Sequence, residues 1–180
     1  MTTTPIHQRS TCALLVIDVQ NEQFEAATPE YKADQLLQNI TLLITKARQE
    51  GVPVFFIQHS ADSYLKFGSE GWQLHPQMQP IAGEPIIHKR HPNSFIKTNL
   101  QEELKNRNVE EVVVTGLVSH GCVKATCLGA LEVVYKVVLV SDAHSNFSKD
   151  APEKIEKWNR ELGRNGVIVV ETKLVTFQED

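Results

Sequence analysis

The sequence predicts a three-layer α/β fold, a doubly wound and mainly parallel six-stranded sheet with helices on both faces. Three observations carry the prediction. Short apolar runs such as Cys12 to Ile17 and Val112 to Thr115 have no polar face, as expected of strands buried on both sides. They alternate with stretches whose apolar residues recur at offsets of three and four, the helical spacing. With 180 residues, 41% hydrophobic and 22% charged, the chain suits one domain with a sizeable core.

Taken in order, residues 1–10 read as a short flexible tail and 11–180 as a single domain. The first strand, Cys12 to Ile17, stops at Asp18, and a polar loop containing Gln20 and Phe24 follows. A helix is predicted from Thr28-Pro29, with Leu36, Leu37, Ile40, Leu43, Ile44 and Ala47 on its apolar face. Gly51 ends it and Pro53 leads into a second strand, Val54 to Ile57. Gln58 to Pro85 lacks periodicity and holds Trp72, Leu74, His75 and Met78, which suits a lid, a pocket wall or an interface. Ile86-Ile87 forms a short third strand ahead of His88-Lys89-Arg90-His91. Ser94 or Thr98 is placed to cap a helix reaching Asn106, with Leu100 and Leu104 inward.

The fourth strand breaks at Gly116. Ser119 is then the expected N-cap of a helix running from about Cys122 to Val134. A fifth strand spans Val137 to Val140. Asp150-Ala-Pro-Glu153 resembles a capping box opening a helix to Leu162. Gly163 to Gly166 turns into the last strand, Val167 to Val170, and Leu174, Val175 and Phe177 in the tail are expected to pack on a neighbour.

Bulk properties exclude several function classes. The formal net charge is −4, which recommends neither nucleic acid nor an anionic membrane as a partner. No apolar run approaches the ~20 residues that cross a bilayer, and the first ten residues lack the basic-then-apolar order of a leader. Three cysteines (Cys12, Cys122 and Cys127) make neither a disulfide framework nor a zinc motif, which suits a reducing, cytoplasmic setting. Cys12 and Cys127 read as small buried hydrophobes.

The chemistry gathers at strand ends. Asp18 closes the first strand, Lys89 the third, and Cys122 follows the fourth, and in a parallel sheet these ends share one edge. A carboxylate to take a proton, an ammonium to balance charge and a thiol to attack a carbonyl are complementary. The backbone N–H groups of the Gly116–Cys122 turn are natural oxyanion donors. A cysteine at a helix N-terminus is also expected to ionise easily, with a pKa of roughly 3.5–7.5.

The segments Leu15-Val16-Ile17-Asp18-Val19-Gln20, Lys89 ahead of Asn93-Ser94-Phe95, Thr115 to Val123, and Ser141-Asp142-Ala143 resemble the isochorismatase-like cysteine hydrolase superfamily, over roughly Cys12 to Val170. The resemblance implies Asp18, Lys89 and Cys122 as a catalytic triad. It also implies a cis peptide at Leu117–Val118, with the N–H groups of Val118 and Cys122 as the oxyanion hole. The nicotinamidases of that superfamily hold a metal through an Asp-x-His motif after the second strand. Here that place reads Gln58-His59-Ser60, with Asp62 beyond. The spacing of His59, Asp62 and His75 fits no metal set, so no metal and no cofactor are expected. Gln20, Phe24, Trp72, Leu74 and His120 are candidate substrate contacts. The implied activity is hydrolysis of a C–N bond in a small amide, carbamoyl or ureido compound, by a homo-oligomer, dimer or tetramer. Two readings stay open beside it: a relative acting on a non-amide bond, and a reactive-thiol protein with no hydrolytic cycle.

Overall fold

Leu14 and Val16 of the first strand face one apolar layer while Ala13, Leu15 and Ile17 face another, so one run of six residues feeds two cores. This is what a continuous apolar strand dictates, because successive side chains alternate across the sheet. The computed structural model describes residues 12–25 and 30–177. Its strands are β1 (Cys12–Ile17), β2 (Val54–His59), β3 (Ile86–Lys89), β4 (Glu111–Leu117), β5 (Lys136–Ser145) and β6 (Ile168–Val170). They form one sheet in the order β3-β2-β1-β4-β5-β6, with every pairing parallel. The strand order turns back at β1, and the crevice beyond β1 and β4 is where such sheets bind ligands.

The helices are α1 (Asn21–Glu25), α2 (Ala33–Gln49), α3 (Leu100–Asn106), α4 (Lys124–Glu132) and α5 (Ala151–Arg164). The predicted apolar stripe of α2 packs on Leu14, Val16, Val54 and Phe56. On the other face Leu100, Leu104, Cys127, Ala130 and Leu162, from the remaining long helices, cover Leu15, Ile17, Phe55 and Ile57. No helix among the described residues is long and apolar enough to cross a membrane.

Local expectations needed several corrections. The polar stretch after Val19 contains the short helix α1. The predicted Thr28-Pro29 start and the tail at residues 1–10 lie outside the described residues, and α2 opens after Lys32, a residue with left-handed φ and no side-chain cap. Of the two expected caps, Ser94 spends its hydroxyl on Thr126, while Thr98 Oγ1 accepts from the N–H of Leu100, where α3 begins. Asp150 makes no cap and pairs instead with the Lys154 ammonium. Val175 and Phe177 are buried in the chain's own α2-side core, while Leu174 points out. The irregular segment is tied to the β1–α1 connection: His75 N–H donates to Val19 O, Glu22 N–H to Gly71 O and Asn21 N–H to Gln73 O, and Leu65, Trp72 and Met78 are buried.

Candidate active site

Two backbone devices bring the strand ends together. Asp18 adopts a left-handed φ of 54°, which breaks the extended backbone as β1 ends. Gly116 has φ 112°, and a Cβ there would strike the Ile17 backbone, so only glycine lets β4 approach β1 this closely. Between Val114 and Gly116 the β4–β5 register shifts, and β5 continues to Ser145, pairing Gly116 with His144 and Leu117 with Ser145. The Leu117–Val118 peptide is cis.

The structure brings the three predicted groups together. Lys89 Nζ donates to Asp18 Oδ2 at 2.8 Å, and both residues are only 2% exposed. A carboxylate oxygen of Asp18, a ring nitrogen of His59 and the sulfur of Cys122 lie within 4.8 Å of one another. His59 Nδ1 is 3.2 Å from Lys89 Nζ. His59 was not among the predicted catalytic groups, although β2 runs apolar up to Ile57 and places His59 two residues on, at the same sheet edge as Asp18. Asp18 Oδ1 has no hydrogen-bond partner among the described residues.

Electrostatics overturn the easily ionised thiol. Burial first, then the adjacent Asp18 charge, push the Cys122 pKa up to about 12, with Lys89 pulling the other way. Cys122 lies in the irregular turn Ser119–Val123, which has non-helical angles at Gly121, just ahead of the start of α4 at Lys124. Burial thus favours a resting thiol beside the Asp18 carboxylate. For Lys89, burial pulls the pKa down, but Asp18 and Cys122 outweigh it and the net shift is upward. Burial, reinforced by Lys89, lowers the pKa of His59.

Ser119 is not an N-cap. Its hydroxyl lies 2.8 Å from His144 Nδ1 and 2.9 Å from Ser145 O, and His144 Nε2 lies 2.8 Å from Asn159 Oδ1. This chain of contacts ties the Ser119–Val123 turn to β5 and α5. Gly121 and Val123 N–H groups both donate to Val118 O, which closes the turn.

The predicted substrate contacts separate. Gln20 is fully buried and its amide is committed to His59 and Trp72 backbone groups, so it cannot touch substrate. Trp72 is also buried, donating from Nε1 to Ser60 Oγ and stacking on His88. Leu74 and Phe24 pack against the α2-side core, Phe24 over His75. His120 is half-buried, with Nδ1 2.7 Å from Asn146 Nδ2 and its ring against Phe147. Asp62 is exposed and paired with Arg90, and His75 sits apart on Phe24, so neither joins His59 in a metal set. Asp18, His59 and Cys122 are ligand types whose donor atoms converge; the Lys89 ammonium engages Asp18 Oδ2 and lies beside His59 Nδ1, while Asp18 Oδ1 stays unengaged among the described residues.

A model of the isochorismatase domain matches residues 12–172. An uncharacterized isochorismatase family protein of Bacillus subtilis, YddQ, is 37% identical over 81% of this chain and 83% of its own length. Nicotinamidase 3 of Arabidopsis thaliana is 30% identical over 78% of this chain and 76% of its own, so amidohydrolases are among the relatives. A solved isochorismatase structure from Pseudomonas putida superposes with a TM-score of 0.84 at 27% identity, covering 95% of this chain and 93% of that one. A matched span running from the first strand to the turn after the last, on a sheet of the same architecture, places this chain in the isochorismatase family of hydrolases.

Proposed function

We propose that this protein hydrolyses a C–N bond of a small amide, carbamoyl or ureido compound through a Cys122 thioester. The observation that carries the reading is the buried assembly of Asp18, Lys89 and Cys122 at the turning point of the sheet. Asp18 takes the thiol proton as the sulfur attacks the carbonyl carbon, so a Cys122 thiol that stays protonated in the resting site is no obstacle. The carbonyl electron pair moves to oxygen, facing the N–H groups of Val118 and Cys122. The tetrahedral centre then collapses, the C–N bond breaks, and the leaving nitrogen takes the proton from Asp18 as ammonia or an amine. Water attacks the thioester while Asp18 accepts its proton, and Cys122 leaves as the thiol. Lys89 holds the Asp18 carboxylate through its 2.8 Å hydrogen bond and offsets negative charge on the sulfur. The steps use this chain's own groups throughout.

The test is a panel of nicotinamide, carbamoyl, ureido and simple acyl amides, read by released ammonia or amine and by intact mass of the protein. The expected result is turnover of at least one class, an acyl adduct on Cys122, and loss of both in Cys122→Ala. Turnover that persists in Cys122→Ala, or a panel that gives neither product nor adduct, overturns the reading.

A further inference from the structure

An ammonium offers three N–H donors, and Lys89 has three acceptors around it: Asp18 Oδ2 at 2.8 Å, His59 Nδ1 at 3.2 Å, and the Cys122 sulfur. The ammonium has no lone pair to give, so His59 Nδ1 is the acceptor and the ring proton sits on Nε2. Strand register produces this contact. His59 of β2 pairs directly with Lys89 of β3, and β2 lies between β3 and β1, so the imidazole stands on the path the lysine follows to reach Asp18. The backbone of His59 is itself held. Gln20 Nε2 donates to His59 O at 3.0 Å and His59 N–H donates to Gln20 Oε1 at 2.9 Å, an amide side chain imitating a neighbouring strand.

We infer that His59 is a positioning residue whose Nδ1 holds the Lys89 ammonium against Asp18 and Cys122, and so governs the reactivity of the Cys122 sulfur. The inference rests on the reading of Cys122 as the nucleophile. The charged and titratable groups that face the imidazole are Lys89, Asp18, Arg90, His91 and Cys122, with the Tyr64 ring centred 6.1 Å away. Burial and Lys89 lower the pKa, Arg90 and His91 add to this, and Asp18 opposes them, leaving a neutral ring with a free lone pair near neutral pH. A protonated ring would present an N–H to the ammonium instead of a lone pair, and the hold would be lost.

The experiment is alkylation of Cys122 by iodoacetamide, followed by intact mass and peptide mapping, in wild type, His59→Leu and His59→Asn. Asn carries its carbonyl oxygen where Nδ1 stood and does not titrate, so it keeps the acceptor. Loss of a hydrogen bond to a charged group should slow the Leu variant by roughly ten- to a hundredfold, and Asn should restore most of that rate. The wild-type to Asn rate ratio should be flat at neutral pH and fall below the histidine's lowered pKa. A Leu variant that alkylates at the wild-type rate overturns the inference. So does an Asn variant that melts like wild type yet reacts as slowly as Leu. Should the Leu variant fail to fold, the ratio decides alone, and a ratio that stays flat through the titration of the His59 ring, followed by NMR on the same protein, overturns the inference. Alkylation needs no substrate, so a wild type that turns over no amide counts against the proposed function while leaving this result standing.

Discussion

Lys89 and Asp18 end strands that are not neighbours, and their side chains reach across β2 to meet in a 2.8 Å bond. Both side chains are almost entirely out of water, so neither charge has solvent to fall back on. Removing one partner leaves the other uncompensated, which typically costs about 3–5 kcal/mol. Lys89→Met should therefore lower folding stability by that order in urea denaturation and abolish turnover. A variant as stable as wild type would show that Asp18 is solvated or protonated in the folded protein.

Asp18→Asn should separate reactivity from catalysis. The Asp18 charge is one of the forces holding the Cys122 thiol near 12, so removing it lowers that pKa and speeds alkylation at a fixed pH. Turnover should vanish all the same, because no base remains to take up and return the proton. The checks are iodoacetamide kinetics and product release on one preparation. Slower alkylation together with retained turnover would refute the assignment of Asp18 as base.

Gly116→Ala should be among the most damaging small changes in the chain. The new methyl would meet Ile17 backbone atoms at a position of strongly positive φ, and strain plus overpacking should cost about 3 kcal/mol or more. Gly166 also has positive φ but open space around it, so Gly166→Ala should lose only about 1 kcal/mol. Equal thermal shifts for the two would remove the close-approach argument.

Two buried groups tilt stability in opposite directions with pH. Glu30 has no hydrogen-bond partner among the described residues, and burial raises its pKa from 4.5 to about 8. Across that window the folded chain keeps a proton that the unfolded chain has lost, so stability falls as pH rises. Burial lowers His144 from 6.5 to about 4, so the unfolded chain gains a proton the folded one refuses, and stability falls as pH drops through that range. The two windows overlap between about pH 4.5 and 6.5 and offset each other there, so wild-type melts should show mainly the alkaline-side decline, from about pH 6.5 to 8. Glu30→Gln should remove that alkaline decline, a gain of order a few kcal/mol above pH 8, and unmask the acid decline from His144. A variant that keeps the full alkaline decline would place its origin elsewhere.

The sequence by itself determined the layered sheet, because apolar runs with no polar face admit few other folds, and it marked Asp18, Lys89 and Cys122 because each sits where a strand ends. Element types were legible in side-chain period. Helix starts were not: Ser119 and Asp150 have the chemistry of caps, but Ser119 found His144 and Asp150 found Lys154. Only the tertiary structure decided the state of the site. Register set His59 beside Lys89, burial turned the expected thiolate into a protonated thiol, and Gln20, placed by sequence at the pocket, was spent holding His59 in line. The physical reason is one of range. Strand and helix patterns are local and repeat along the chain, whereas hydrogen-bond partners and local dielectric depend on groups dozens of residues away, which only folding brings into contact.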